Sequence, residues 1–449
     1  MSRDALRKSD ARHHLHPFVD PRKLAEDGVR MMVRGDGVFI EDAEGNRYLD
    51  GMAGLWCVQV GYGRRELIDA ARQQLETLPY YNTFFGTTTE PVAALVDALR
   101  ARTPGDLDTF FFANSGSEAV DTAVRLVRHY WSLVGRPERR AIIGREFGYH
   151  GSTVAAASVG GMGKMHAQGG LPLPDFHHIL PPYPFEFGRG EEPLAFGRRA
   201  AAALEERIQE LGPENVAAFF GEPVMGAGGV IVPPASYWPA VQEICRRYDV
   251  LLLADEVICG FGRTGRSWGS ETYGIEPDLM TMAKGLTSGY VPLSALALGG
   301  RVAEVLRGGG VLQHGFTYSG HPVSAAVALA NLQVIDEEGL VARAGGRVGA
   351  HFQAGIRSLA ASPLVGETRG VGLIAGIELV RDVATGARFE PAGSAASRAF
   401  ALCLEEGLIV RSIREGLAVC PPLTIAEDEI DSLVERLGRA LARLEQELC

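Results

Sequence analysis

Apolar and polar positions repeat in a regular way through the middle of the chain. Short runs that are apolar almost throughout are AIIGRE (141–146), VAAFFGEP (216–223), VLLLADEV (250–257) and DLMTMAKG (278–285). Stretches of helical period lie between them. DTFFFANSG (108–116) is a further apolar run and ends in a turn of small residues. In the adjoining EAVDTAVRLVRHYW (118–131), Ala119, Val120, Ala123, Val124 and Val127 fall on one helical face. SYWPAVQEICRRYDV (236–250) reads as the helix ahead of the next strand. Continuous apolar strands between amphipathic helices predict a mainly parallel sheet covered on both faces.

The two ends of the chain carry another pattern. VFIEDAEGNRYLDGMAG predicts a hairpin that turns at Glu44-Gly45-Asn46. Beyond about residue 331, GVGLIAGIELV (370–380) and the segment around GLIVRSIREGLAVCPPL (407–423) predict strands. Residues 426–448 predict a helix whose first turn is acidic, as the helix dipole prefers. The expected class is α/β. A large domain spans 66–331, and a small α+β domain is made from both ends, 1–65 and 332–449.

Composition narrows the function more than the fold. With 449 residues a large core can be buried. The balance of 44 Lys+Arg against 55 Asp+Glu, net −11, argues against nucleic-acid binding through a basic patch. No apolar run approaches the ~18 residues of a membrane helix. The N-terminal segment lacks the apolar core of a signal peptide, so the expected compartment is the cytoplasm. The six cysteines form no C-x-x-C pair and are too sparse for a disulfide framework. Cys449 is a candidate exposed thiol. Lysine occurs only four times, at Lys8, Lys23, Lys164 and Lys284, which shortens the search for a reactive amine.

Two familiar motifs fail. Gly260-Phe-Gly262-Arg-Thr-Gly265 fits G-x-G-x-x-G, but RSWGSETYGIEPD (266–278) does not open an apolar-periodic helix that could hold a pyrophosphate. A glycine-rich loop near some other site is expected instead. Gly163-Lys164 has neither the glycine nor the hydroxyl that a phosphate-binding P-loop needs. The histidines His13, His14, His16, His177 and His178 are not at helix-face spacing with carboxylate partners, so no metal is expected.

Three other features bear on chemistry. Asn114-Ser115-Gly116-Ser117-Glu118 lies between a strand and a helix, and Ser115-x-x-Glu118 fits a capping box. The segment is either a well-made helix start or a phosphate cup of free N–H groups and hydroxyls. Asp255 ends an apolar strand, where open α/β sheets bind their ligands. A carboxylate there needs a cationic partner, either an arginine or a protonated ligand nitrogen. Lys284 follows another apolar strand, and a sheltered lysine suits nucleophilic use. Its one serious rival is Lys164. A phosphate cup, a carboxylate for a pyridinium nitrogen and a lysine for an imine together describe a pyridoxal phosphate site, with Tyr149 as the aromatic cover.

The chain resembles the class III aminotransferases among the fold-type I pyridoxal phosphate enzymes, within the omega-amino acid:pyruvate group. The matching segments run nearly end to end: LDGMAGLWCVQVGYG (49–63), FFANSGSEAVDTA (111–123), GYHG (148–151), GEPVMGAGGV (221–230), LLLADEVICGFGRTG (251–265), AKG (283–285) and FTYSGHP (316–322). The resemblance implies a large cofactor-binding domain with a mainly parallel seven-stranded sheet. It implies Lys284 as the aldimine-forming lysine and proton shuttle, and Asp255 on the pyridine nitrogen. Val257 and Tyr149 would lie on the two faces of the ring, with Gly116 and Ser117 on the phosphate and Glu222 in the surrounding hydrogen-bond network. Thr317 would reach the phosphate in a partner subunit, which makes the active unit a homodimer, alone or paired into a tetramer. Trp56, Phe18, Phe85 and Tyr149 are the implied pocket residues. Arg414 is the implied carboxylate-binding arginine, with Arg411 as its rival. The implied reaction moves an amino group from an amine or omega-amino acid to pyruvate or a similar 2-oxo acid by a ping-pong mechanism. An aminomutase or decarboxylase of the same fold is the alternative.

Overall fold

The apolar runs assemble into one seven-stranded sheet in the computed structural model, which describes residues 2–448. Cys449 lies outside the described residues. The strand order is Thr109–Ala113, Ser294–Leu298, Leu279–Met282, Leu251–Asp255, Val216–Gly221, Ala141–Arg145 and Phe176–Ile179. Only Ser294–Leu298 runs against its neighbours. Every residue of Val216–Gly221 and Leu251–Asp255 is buried, the reason these strands read as unbroken apolar runs. Helices cover both faces, among them Gly116–Leu133 and Tyr237–Tyr248.

The chain ends build two four-stranded sheets. The expected hairpin is present as Phe39–Asp42 against Arg47–Asp50, with Met32–Asp36 added outside it. Leu408–Ile409 pairs in parallel with Arg47–Asp50 and so joins the two ends of the chain. The second sheet combines Val365–Val371, Ile374–Leu379, Gly416–Val419 and Arg411–Ile413. One helix, Pro322–Glu337, runs straight through the 331/332 boundary expected from sequence. Proline at its first position costs nothing, because that N–H would be unpaired anyway.

The glycine-rich loop at 260–265 locks these parts together. Arg263 is fully buried, and its guanidinium donates to the carbonyls of Leu373 (2.9 Å) and Pro421 (2.6 Å) and to Gln59 Oε1. Gly265 has φ +88°, and a Cβ there would lie 2.5 Å from the Gly345 Cα. Glycine is needed at 265 for close packing, in keeping with the failed dinucleotide motif.

Candidate active site

A cavity of about 370 Å³ opens at the carboxyl ends of the parallel strands, where ligands bind in open α/β sheets. Each strand delivers a different group to it. Thr109–Ala113 leads into Asn114, Ser115, Gly116 and Ser117. Leu251–Asp255 ends in Asp255 and continues to Val257, and Leu279–Met282 leads to Lys284. Val216–Gly221 leads to Glu222, and Ala141–Arg145 to Tyr149 and His150. Lys284 sits at φ +45°, a conformation that costs a non-glycine residue energy and is found most often where function holds it. Lys164, the rival amine, lies on the exposed face of Gly163–Gly169 and does not reach the cavity.

The helix Gly116–Leu133 begins at the cavity wall. Ser115 is its N-cap, and its hydroxyl accepts from the Glu118 N–H at 3.2 Å. The capping box is not reciprocal as expected. Glu118 Oε2 reaches one residue further back and accepts from the Asn114 backbone N–H (2.7 Å) and side-chain amide (2.9 Å). The N–H groups of Gly116 and Ser117 belong to the first turn, which has no partners inside the helix.

Asp255 finds its partners in the protein, and none of them is an arginine. His150 Nδ1 lies 2.7 Å from Oδ2, while Thr281 Oγ1 (3.0 Å) and the Val257 N–H (3.1 Å) donate to Oδ1. A carboxylate offers about four acceptor positions, so one remains. Glu222 is equally buried. Its Oε1 accepts from the Tyr149 N–H (3.2 Å) and its Oε2 from the Gly226 N–H (2.8 Å). Burial pushes the Glu222 carboxyl up, opposed by His150 and Arg145. Arg145 is itself fully buried and donates to the Glu222 carbonyl at 2.7 Å.

Seven of the twelve residues to which the resemblance gives a role therefore line one cavity: Gly116, Ser117, Tyr149, Glu222, Asp255, Val257 and Lys284. The other five do not. Trp56 is 1% exposed, at φ +64°, within an apolar cluster shared with Ile258 and Ile374. Its neighbour Cys57 lines the cavity instead. Phe18 and Phe85 are 71% and 99% exposed, and Thr317 is exposed with its carbonyl accepting from Tyr80 Oη at 2.5 Å. Arg414 lies 3.7 Å above the Phe147 ring centroid, with Nη2 3.6 Å from Glu186 Oε1. Arg411 is partly buried and close enough to Tyr149 for the phenol to bear on its charge. Sequence reasoning passed over His150, although it adjoins Tyr149 and a buried carboxylate demanded a donor.

Comparison with known proteins settles the family. The pattern described as "Aminotransferase class-III" matches residues 24–441. The chain belongs to the class III aminotransferases. The putrescine–pyruvate aminotransferase of Pseudomonas aeruginosa is 50% identical over 429 residues, which is 96% of this chain and 94% of that protein. The omega transaminase of Pseudomonas jessenii, solved in complex with PMP, is 43% identical. It superposes with a TM-score of 0.97 over 99% of each chain. A thermostable (S)-enantioselective omega-transaminase from Thermomicrobium roseum is 44% identical, with a TM-score of 0.95 over 99% of each chain.

This aminotransferase has the fold-type I architecture and uses pyridoxal phosphate. Its residues fit that cofactor. The buried Asp255 carboxylate keeps an acceptor position on the cavity. The small-residue cradle is already tight, since a Cβ at Gly116 would meet both Val257 methyls at 3.3 Å. One at Gly151 would lie 2.5 Å from Ser117 Oγ. The amine of Lys284 faces the same space.

Proposed function

We propose that this aminotransferase moves an amino group from an aliphatic omega-amine, with putrescine as the leading candidate, to pyruvate in two half-reactions at Lys284. The observation that carries the reading is the convergence of Lys284, Asp255 and the Gly116–Ser117 helix start on one cavity. The named activity of the 50% identical relative supports the donor and acceptor. The family match and the relatives give no support to an aminomutase or a decarboxylase.

When bound, pyridoxal phosphate supplies an electron sink for the carbon that carries the amino group. The chain does the rest. Gly116 and Ser117 hold the phosphate with first-turn N–H groups and a hydroxyl. Asp255 keeps a proton on the ring nitrogen through its remaining acceptor position. Val257 and Tyr149 pack against the two faces of the ring, and Glu222 fixes Tyr149 by its backbone N–H. Lys284 Nζ is the amine available to the cofactor aldehyde, and it takes the proton from the substrate carbon and returns it. Arg414, swung from Glu186, binds the carboxylate of the oxo acid, and a guanidinium suits that bidentate contact. Trp56 backs the pocket wall.

The active unit in this reading is a homodimer in the cytoplasm. Phe18, Phe85 and Thr317 are too exposed to serve the cavity of their own chain, and they suit the rim of a partner's cavity. Phe84, Phe85, Val311 and Leu312 line one open groove beside Thr317, an apolar surface that a second copy would cover. The pairing of Leu408–Ile409 with Arg47–Asp50 supports one small domain built from 1–65 and 332–449, beside a large domain at 66–331. No helix among the described residues is long and apolar enough to cross a membrane. A panel of diamines, omega-amino acids and arylalkylamines with pyruvate as acceptor tests the substrates. One alanine formed from pyruvate for each putrescine consumed is the expected result. Turnover confined to 2-oxoglutarate as acceptor would reject the acceptor assignment.

A further inference from the structure

His14 and His16 are expected to have no carboxylate partner at helix-face spacing, and the structure corrects that expectation. Asp10 lies one helical turn before His14 on the helix Arg3–His13. Its Oδ1 is 3.1 Å from His14 Nδ1, and its Oδ2 is 2.5 Å from His16 Nε2. The metal-binding atoms of all three residues lie within 4.8 Å of one another. The two imidazole rings have centroids 4.2 Å apart and are tilted by 40°. His16 lies beyond the helix end, so the chain folds back to bring the third group to the first two.

We propose that Asp10, His14 and His16 form a binding site for one divalent transition-metal cation of the zinc, nickel or copper class. The donor set decides the class. Two imidazoles are borderline donors that suit these ions, with the carboxylate adding charge, whereas calcium and magnesium need oxygen cages. The i,i+4 spacing of Asp10 and His14 puts two ligands on one rigid face. The helix is itself anchored, since Arg3 donates to the Ala43 carbonyl at 3.0 Å and Arg7 pairs with Glu44. In an arginine-rich chain Asp10 pairs with no arginine, only with the two imidazoles. Three protein ligands leave an outward position for water, and the exposure of His14 gives the ion a way in. The site is separate from the Lys284 cavity, and none of its residues lines that cavity. A bound ion would tie residue 16 to the helix and so restrain the segment leading to Phe18.

The test uses tag-free holoenzyme stripped with chelator and titrated with Zn²⁺ by calorimetry. One equivalent per chain is expected. Asp10→Asn, His14→Ala and His16→Ala should each weaken binding by at least about tenfold, since even indirect changes around a metal cost that much. His13→Ala, whose ring lies outside the cluster, should bind as wild type does. Metal-free unfolding temperatures should be unchanged in all four variants, which separates loss of ligand from loss of fold. Electron paramagnetic resonance with Cu²⁺ should show two coupled nitrogens, falling to one in His16→Ala. No Zn²⁺ uptake, uptake that survives His16→Ala, or an equal loss in His13→Ala would each overturn the assignment.

Discussion

His150 Nδ1 lies 2.7 Å from Asp255 Oδ2, and both side chains are sealed from solvent. An ionised carboxylate only accepts, so the imidazole donates from Nδ1. Nε2 is buried and has no hydrogen-bond partner among the described residues. His150 thus orients the Asp255 carboxylate. Asp255→Asn should lower kcat/KM by about 10²–10³-fold, the usual loss when one preorganised electrostatic group is removed. His150→Gln removes one buried hydrogen bond and should cost about tenfold. Steady-state kinetics on the two variants checks the order. A His150→Gln loss as large as that of Asp255→Asn would contradict an orienting role.

Among the described residues Lys284 is the one lysine that lines the cavity. Lys284→Ala should lose at least the 10²–10⁴-fold that a positioned proton-transfer group contributes, about 3–5 kcal/mol. Borohydride reduction of the holoenzyme and then peptide mapping should place the cofactor on Lys284, with Lys164 unlabelled. Label on Lys164, or full turnover in Lys284→Ala without added amine, is the outcome that defeats the assignment.

Gly151 has φ +137°, and a Cβ there would lie 2.5 Å from Ser117 Oγ and 2.7 Å from Ser117 Cα. Gly151→Ala must push Ser117 away from the helix start. Backbone strain of this kind costs about 1–3 kcal/mol, so cofactor affinity should fall about 5–150-fold. Equilibrium dialysis of the cofactor measures it. Gly190→Ala is the control, because Gly190 also has positive φ but nothing within 4 Å. Equal cofactor loss in the two variants would trace the effect to general strain rather than to Ser117.

The site was legible wherever a charged or small residue interrupted an apolar run. Asp255 and Lys284 stand out because the strands before them are buried on both faces, so the first charged residue at or after the strand end marks its working end. His150 was not legible. It lies in a loop, and only the sheet order, with Val216–Gly221 between Ala141–Arg145 and Leu251–Asp255, carries it to Asp255. The reach of Glu118 to Asn114 was missed for a related reason, since the capping pattern fixes spacing but not side-chain rotamer. Trp56 is placed differently from the other motif residues. Position 56 sits at φ +64°, and this turn sends the indole into the apolar cluster and leaves Cys57 on the cavity. The change of pattern at 331/332 falls inside the helix Pro322–Glu337.

Glu256, next to Asp255, is fully buried and supports the loop after it. Its oxygens accept from the Gly269 N–H (2.9 Å), the Ser270 N–H (2.6 Å) and the Ser270 hydroxyl. Burial pushes its carboxyl up to about 7, against the pull of those donors. An unfolded glutamate titrates near about 4.3. Between these values the folded protein holds a proton that the unfolded chain has released. The contribution of Glu256 to stability is therefore complete below the lower value and is lost as pH rises through the upper. The whole change is on the order of 3 kcal/mol. Glu256→Gln cannot titrate, so wild-type stability minus variant stability should fall steadily between about pH 4.5 and about pH 7.5 and level off above. Denaturant unfolding at a series of pH values measures that difference, and a flat line across the range would refute the buried titration. Glutamine is the right replacement because it keeps the volume and one acceptor for Ser270. The mismatch of its amide with the Gly269 N–H is a fixed cost that shifts the line without tilting it.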